Sequence, residues 1–183
     1  MHDAEPTDES LMECAAQGDM RAFERLVLRH QSAAWRVALR YTGDAAEAED
    51  LVQDTFLSIL NAAERYRPEA AFRTYLYRVL TRRCIDYKRK KRPLLFDPLP
   101  DMADPATSSP LRIQRQERES AIQTALDTLP PRYRAVIVLR YFEGLSGQEM
   151  ARILDTTPKS IERLLARARQ RLERVLSPLL RDF

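Results

Sequence analysis

Between positions 93 and 110 the chain reads PLLFDPLPDMADPATSSP, five prolines and no basic residue in one stretch. Proline fixes φ and lacks the backbone N–H that helices and sheets require, so no regular element passes through this segment. The chain must therefore be built in two parts, one on each side of a linker at 93–110. On both sides apolar residues recur every three or four positions, and no convincing alternation of strand type is found. The predicted architecture is all-α, with two helical domains over 8–92 and 111–178.

In the first domain Asp8 or Ser10 is placed to cap a short helix over Leu11–Gln17, which Gly18-Asp19 breaks before a helix from about Met20 to Tyr41. Phe23, Leu26, Val27, His30, Ala34, Val37 and Tyr41 form the buried stripe of that second helix. Asp44 and Glu47 have capping-box spacing and start a third helix. Val52, Phe56, Ile59 and Ala63 fall on one side of it, and Asp50, Gln53, Asp54 and Leu57 on the other. Beyond Pro68 a last helix, about Ala71–Arg89, buries Leu76, Val79, Leu80 and Ile85. The second domain opens with a helix over about Leu111–Leu129. Pro130-Pro131 starts another, running through Ala135, Val136, Leu139 and Phe142 to Glu143-Gly144. Ser146 and Glu149 make a second capping box for a short helix with Met150, Ile153 and Leu154 inside. After Asp155-Thr156, Thr157 serves as N-cap and Pro158 as first residue of a helix reaching about Leu176. A short helix, a tight turn and a longer helix make a helix-turn-helix pattern.

The formal net charge of +3 conceals strong segregation. Residues 1–54 hold twelve acids against five arginines, a net of −7, whereas residues 65–92 hold eleven bases against Glu69 and Asp86, a net of +9. Residues 93–129 come to −3, and residues 158–174 hold six bases against Glu162 and Glu173, a net of +4. Two basic islands of this kind attract phosphate, and the acidic stretches repel it. Contact with a polyanion is thus expected at two places, with another kind of partner for the acidic surface.

Enzymatic chemistry finds little footing. Asp50 and Asp54 have no histidine, cysteine or third carboxylate converging on them in sequence, and P-loop, nucleophile-elbow and HExxH patterns are absent. His2 and His30 make poor ligands, and no cofactor or metal is expected. Cys14 and Cys84 lack CxxC spacing and read as buried structural thiols in a reducing compartment. The acidic start MHDAEPTDES lacks the cationic and apolar parts of a signal peptide, and no apolar run is long enough to span a bilayer, so a cytoplasmic protein without membrane insertion is expected.

Stepping 100° per residue along the last long helix puts Ile161, Leu164, Leu165, Ala168 and Leu172 on one side. Lys159, Ser160, Arg163, Arg167, Gln170 and Arg174 fall on the other. Arginine donors match guanine edges and phosphates, and the first turns of such a helix reach base edges in a major groove. The other island, RYRPEAAFRTYLYRVLTRRCIDYKRKKR, interleaves bases with Tyr66, Phe72, Tyr75 and Tyr77. Exposed rings stack on unpaired bases for about 1 to 3 kcal/mol each, which favours single-stranded nucleic acid there. Phe72 is expected in the core and at least one tyrosine at the surface. A regulator that binds duplex DNA alone and an RNA-binding adaptor remain alternatives on these grounds.

Taken together the motifs resemble bacterial RNA polymerase sigma factors of the sigma-70 class, in the compact extracytoplasmic-function group. AEDLVQDTFLSIL resembles region 2.2, FRTYLYRVLTRRCIDYKRKKR regions 2.3 and 2.4, and LPPRYRAVIVLRYFEGLSGQEMARILDTTPKSIERLLARARQRL region 4. The resemblance implies a non-enzymatic subunit whose Asp50, Gln53 and Asp54 contact the β′ clamp helices of core RNA polymerase, with further contact to the β subunit. It implies that Tyr66, Arg73, Tyr75, Arg78, Arg82, Arg83, Lys88 and Arg89 open and hold the −10 element, accepting an unpaired base outside the stack. Lys159, Ser160, Arg163 and Arg167 would read the −35 element as duplex, and residues 93–110 would thread the polymerase. An anti-sigma factor is implied as a further partner. Asp155 stands where the family commonly has a turn glycine, and aspartate tolerates that backbone better than most residues.

Overall fold

A computed structural model of the chain describes residues 5–90 and 110–179, with side chains over 5–90 and 118–177. The linker at 93–110 lies, Pro110 excepted, outside the described residues. Eight helices follow one another, and the described residues contain no strand. They are α1 Asp8–Ala16, α2 Met20–Thr42, α3 Ala45–Asn61, α4 Phe72–Lys90, α5 Pro110–Asp127, α6 Pro131–Ile137, α7 Gly147–Ile153 and α8 Pro158–Leu179. A single 3-10 turn, Ala63–Arg65, follows α3, and a π-helical turn, Val138–Phe142, extends α6.

Local chemistry sets most of the boundaries. Asp19 accepts from the backbone N–H groups of Arg21 and Ala22 at the start of α2. Gly43, at φ +77°, closes that helix in the left-handed region that only glycine enters cheaply. Asp44 accepts from the Glu47 N–H to open α3. Both halves of the Ser146/Glu149 capping box are formed on α7. The cap of α1 differs from expectation. Thr7, extended after Pro6, accepts from the Ser10 N–H, and the helix begins at Asp8. The Asp8 carboxylate turns away to meet Arg29 at 2.8 Å and His30 at 2.6 Å, which ties α1 to α2.

Helices α1–α4 pack around Met12, Leu26, Val37, Ile59, Leu76 and Leu80, and α6–α8 around Val136, Leu139, Met150 and Ile161. Each such side chain contributes about 2 kcal/mol by leaving water. The buried cluster continues from one group to the other without a break, because α4 lies against α6 and α7 while α2 lies against α5 and the π turn.

At that seam sits Arg134, 1% exposed. Its Nε donates to the Leu126 carbonyl at 2.8 Å, one Nη to the Tyr41 carbonyl at 2.6 Å and the other to Asp127 at 2.5 Å. Asp127 also pairs with Lys88 of α4 at 3.0 Å, and the Tyr41 hydroxyl donates to the Pro131 carbonyl. A buried guanidinium is tolerated only when its donors are met, and here acceptors come from both helical groups.

Candidate nucleic-acid and polymerase interfaces

The helix-turn-helix is α7, a four-residue connection and α8. Asp155 takes φ +53° in that connection, the conformation usually reserved for glycine, and the Thr156 N–H returns to the Ala151 carbonyl at 2.9 Å to close the turn. Thr157 accepts from the Ser160 N–H and opens α8 behind Pro158. Ile161, Leu165 and Ala168 are buried against α6 and α7. This orientation leaves Lys159, Arg163 and Arg167 exposed on one face with Ser160 half-buried beside them. The arginines on other sides of the helix are occupied. Arg169 donates to the Tyr141 hydroxyl at 2.6 Å, and Arg171 stands over the Tyr133 ring. Arg163 and Arg167 are thus the α8 arginines presented to solvent near the helix start, the geometry a major-groove reader needs.

The second basic face is more constrained than its sequence indicates. Tyr66, Phe72 and Tyr75 form a ring cluster with His30, centroids 5.3 to 6.5 Å apart. The expected exposed tyrosine is not found among Tyr66, Tyr75 and Tyr77. Tyr66 and Tyr77 are buried and Tyr75 is half-buried, because the rings pack on one another and on the seam. Burial, with Glu9 nearby, pushes the Tyr66 phenol up to about 12. Burial and the Glu143 carboxylate do the same for Tyr77. The Tyr66 hydroxyl has no hydrogen-bond partner among the described residues. Glu9 of α1 accepts from the Phe72 N–H at 2.9 Å, so the start of α4 is capped from a distant helix.

The basic side chains of α4 divide into free and engaged. Arg82 and Arg89 are exposed, Arg89 lying 3.9 Å from Asp86 one turn back. Arg83 reaches Asp54 at 3.3 Å and the Ser58 hydroxyl, so it joins the basic face to the acidic one. Lys88 is held by Asp127, Arg78 meets Asp155 at 3.5 Å, and Arg73 meets Glu143 at 3.4 Å. Sequence reasoning could not find Glu143, Asp127 or Arg134, each of which has a partner in the first domain dozens of positions away.

On α3, Asp50, Gln53 and Asp54 are exposed, with exposed Leu57 one turn beyond them, and a shallow groove beside them is lined by Trp35, Arg36, Val52 and Gln53. Acids around apolar atoms suit a protein partner, since phosphate would be repelled. Among the described residues no three His, Cys, Asp or Glu side chains gather to hold a metal, and no helix is long and apolar enough to cross a membrane. Cys84 is buried as expected, its thiol pushed up to about 12 by burial. Cys14 departs from expectation. It is exposed because its position on α1 faces away from Leu11, Met12 and Ala15, which pack inward.

Two family models match separate stretches of the chain. The family described as Sigma-70 region 2 matches residues 26–93, and Sigma-70, region 4 matches residues 119–172. The RNA polymerase sigma-H factor of Pseudomonas aeruginosa is 31% identical over 96% of this chain and 96% of its own. This chain belongs to the extracytoplasmic-function group of sigma-70 factors. The ECF sigma factor SigE of Mycolicibacterium smegmatis is 33% identical over 94% of this chain and 69% of its own length. Among solved structures, CnrH in complex with the cytosolic domain of CnrY superposes with a TM-score of 0.73 at 28% identity, over 93% of this chain and 97% of that one.

Proposed function

We propose that the chain directs core RNA polymerase to specific promoters and helps open them, its two basic faces holding DNA and its acidic α3 face holding the polymerase. The observation that carries this is the separation of the faces. Lys159, Arg163 and Arg167 project from the start of α8, where a duplex groove reads side chains. Arg73, Arg78, Arg82, Arg83, Lys88 and Arg89 belong to α4, beside the Tyr66 and Tyr75 rings. The cations suit the phosphates of a separated strand, and the half-buried Tyr75 ring is the one of the two with surface left to meet a base. Lys159, Ser160, Arg163 and Arg167 take the −35 element as duplex, and the α4 set with Tyr66 and Tyr75 takes the −10 element. Asp50, Gln53 and Asp54 take the basic side chains and apolar rim of the β′ clamp helices, and the β subunit adds further contact. The residues at 93–110 bridge the two domains along the polymerase.

The roles of these side chains are binding and positioning, and no step requires a reacting group. The relatives are named as RNA polymerase sigma factors, and a stand-alone regulator has no use for an acidic docking helix. We place the protein in the cytoplasm with its polymerase. CnrH was solved with the cytosolic domain of CnrY, and a protein of the anti-sigma type is proposed as the partner that holds this chain inactive.

Reconstitution tests the reading. Core polymerase is incubated with genomic DNA of the source organism, with and without the chain, and the 5′ ends of the transcripts are sequenced. New start sites sharing two sequence elements at constant spacing are expected only when the chain is present. An unchanged set of start sites would overturn the assignment.

A further inference from the structure

Where α4 passes α6 and α7, their side chains enclose a cleft of about 340 Å³, within the size range of ligand pockets, roughly 300 to 1,000 Å³. Four arginines line it. Arg78, Arg82 and Arg89 lie along α4, and Arg132, at the start of α6, meets the same space from the other domain. Ile85 and Ile153, both buried, make an apolar floor. Two carboxylates share the cleft, Asp155 at 3.5 Å from Arg78 and Asp86 at 3.9 Å from Arg89. Arg82 and Arg132 are exposed and have no acid partner among the described residues. Four positive groups against two negative ones leave the cleft with a net charge of +2.

Like charges lining a small space repel one another, and more strongly where protein replaces water. The core beneath them, continuous from one group of helices to the other, holds Arg82 and Arg132 at the cleft all the same. A counter-anion relieves that repulsion. Guanidinium presents paired N–H donors that match two oxygens of a phosphate at once. A nucleic-acid strand spreads its charge, one phosphate to each nucleotide, whereas two phosphates joined through a shared oxygen place the compensating charge at a single spot. We infer that the cleft is a binding site for a pyrophosphate group, carried by a nucleoside diphosphate or free in solution, gripped by Arg82 from the first domain and Arg132 from the second. Arg78 and Arg89 flank it. The α4 arginines are shared with the face proposed for the −10 element, while Arg132 belongs to the small-anion site alone. Held from both sides, the anion stabilises the arrangement it binds by mass action.

Binding is measured on the full chain by isothermal titration calorimetry, at low salt and without divalent metal, with ADP, inorganic pyrophosphate and AMP as probes. Saturable binding is expected for ADP and pyrophosphate, with AMP, which carries a single phosphate, at least about tenfold weaker. ADP binding more tightly than pyrophosphate identifies a nucleotide ligand whose nucleoside rests on Ile85 and Ile153; equal affinities identify the pyrophosphate group alone, and either result supports the site. Arg82→Gln and Arg132→Gln should each weaken the binding of pyrophosphate about tenfold. Arg21→Gln removes the same charge at the exposed start of α2, away from the cleft, and should leave binding unchanged. The rise in thermal midpoint given by saturating pyrophosphate should likewise shrink in the two cleft variants and persist in Arg21→Gln. Absence of saturable binding, AMP binding as tightly as ADP, or a cleft variant that matches Arg21→Gln in both measurements overturns the inference. None of these measurements involves polymerase or promoter, so their failure is separable from failure of the functional reading.

Discussion

Arg134 shows how one buried side chain couples the two halves of the molecule. Its guanidinium meets carbonyls of Tyr41 and Leu126 and the carboxylate of Asp127. Replacement by methionine fills similar volume but leaves those acceptors unmet and Lys88 facing Asp127 alone. Arg134→Met should lower unfolding stability by about 3 kcal/mol, read from the urea midpoint at unchanged slope. A loss below about 1 kcal/mol would show that the acceptors find water. Cys84 gives a pH-dependent counterpart. Burial raises its thiol from 9.0 to about 12, so the folded state keeps a proton that the unfolded state releases. The stability this gives is fully present below pH 9, falls as pH rises above it and is lost through pH 12. Tyr66 and Tyr77, raised from 10.0 to about 12, act in the same sense. Cys84→Ala should flatten the decline in thermal midpoint between pH 9 and 10, where the tyrosines contribute least. An identical pH profile for the two proteins would contradict that assignment.

At the level of the element, the turn and caps of the helix-turn-helix decide how α8 is aimed. Asp155 pays the small cost of φ +53° because its short side chain tolerates it. A β-branched residue would not, and Asp155→Val should destabilise the second domain by about 2 kcal/mol in a thermal melt. Ser146→Ala, breaking a formed capping box, should cost about 1 kcal/mol. Neither change touches a proposed base contact, so a loss of −35 affinity at low temperature, where both variants are folded, would mean that α8 is aimed otherwise than described. These features were legible in the sequence because they are local: Ser146 with Glu149, Thr157 with Pro158 and the helical period of Ile161, Leu165 and Ala168 all act within two turns. The π turn was not. Nothing between Val138 and Phe142 breaks a helical pattern, and the widening is settled by where Phe142 and Glu143 find Arg40 and Tyr77. Likewise at least one tyrosine of the basic run was expected at the surface, and the burial of Tyr66 and half-burial of Tyr75 follow from packing on Phe72 and on each other.

Across the whole molecule the charge map was readable from segment totals, but which charges remain available was not. On α4, Arg73, Arg78, Arg83 and Lys88 are matched by acids of the second domain or of α3, partners no local pattern announces. Besides Arg82 on α4, the exposed charged and polar groups that stay open include Lys159, Arg163 and Arg167 on α8 and Asp50 and Gln53 on α3. Opposite in sign and carried by different domains, the α8 and α3 groups divide the work between DNA and the transcribing enzyme in the function we propose. The most direct test is the affinity of the full chain for core RNA polymerase, measured for the wild type, for Asp50→Arg combined with Asp54→Arg, and for Arg163→Ala combined with Arg167→Ala. Charge reversal on α3 should weaken binding at least about tenfold, whereas the α8 pair should bind as the wild type does and lose only promoter recognition. Undiminished binding by the α3 variant, or lost binding by the α8 variant, would contradict the account.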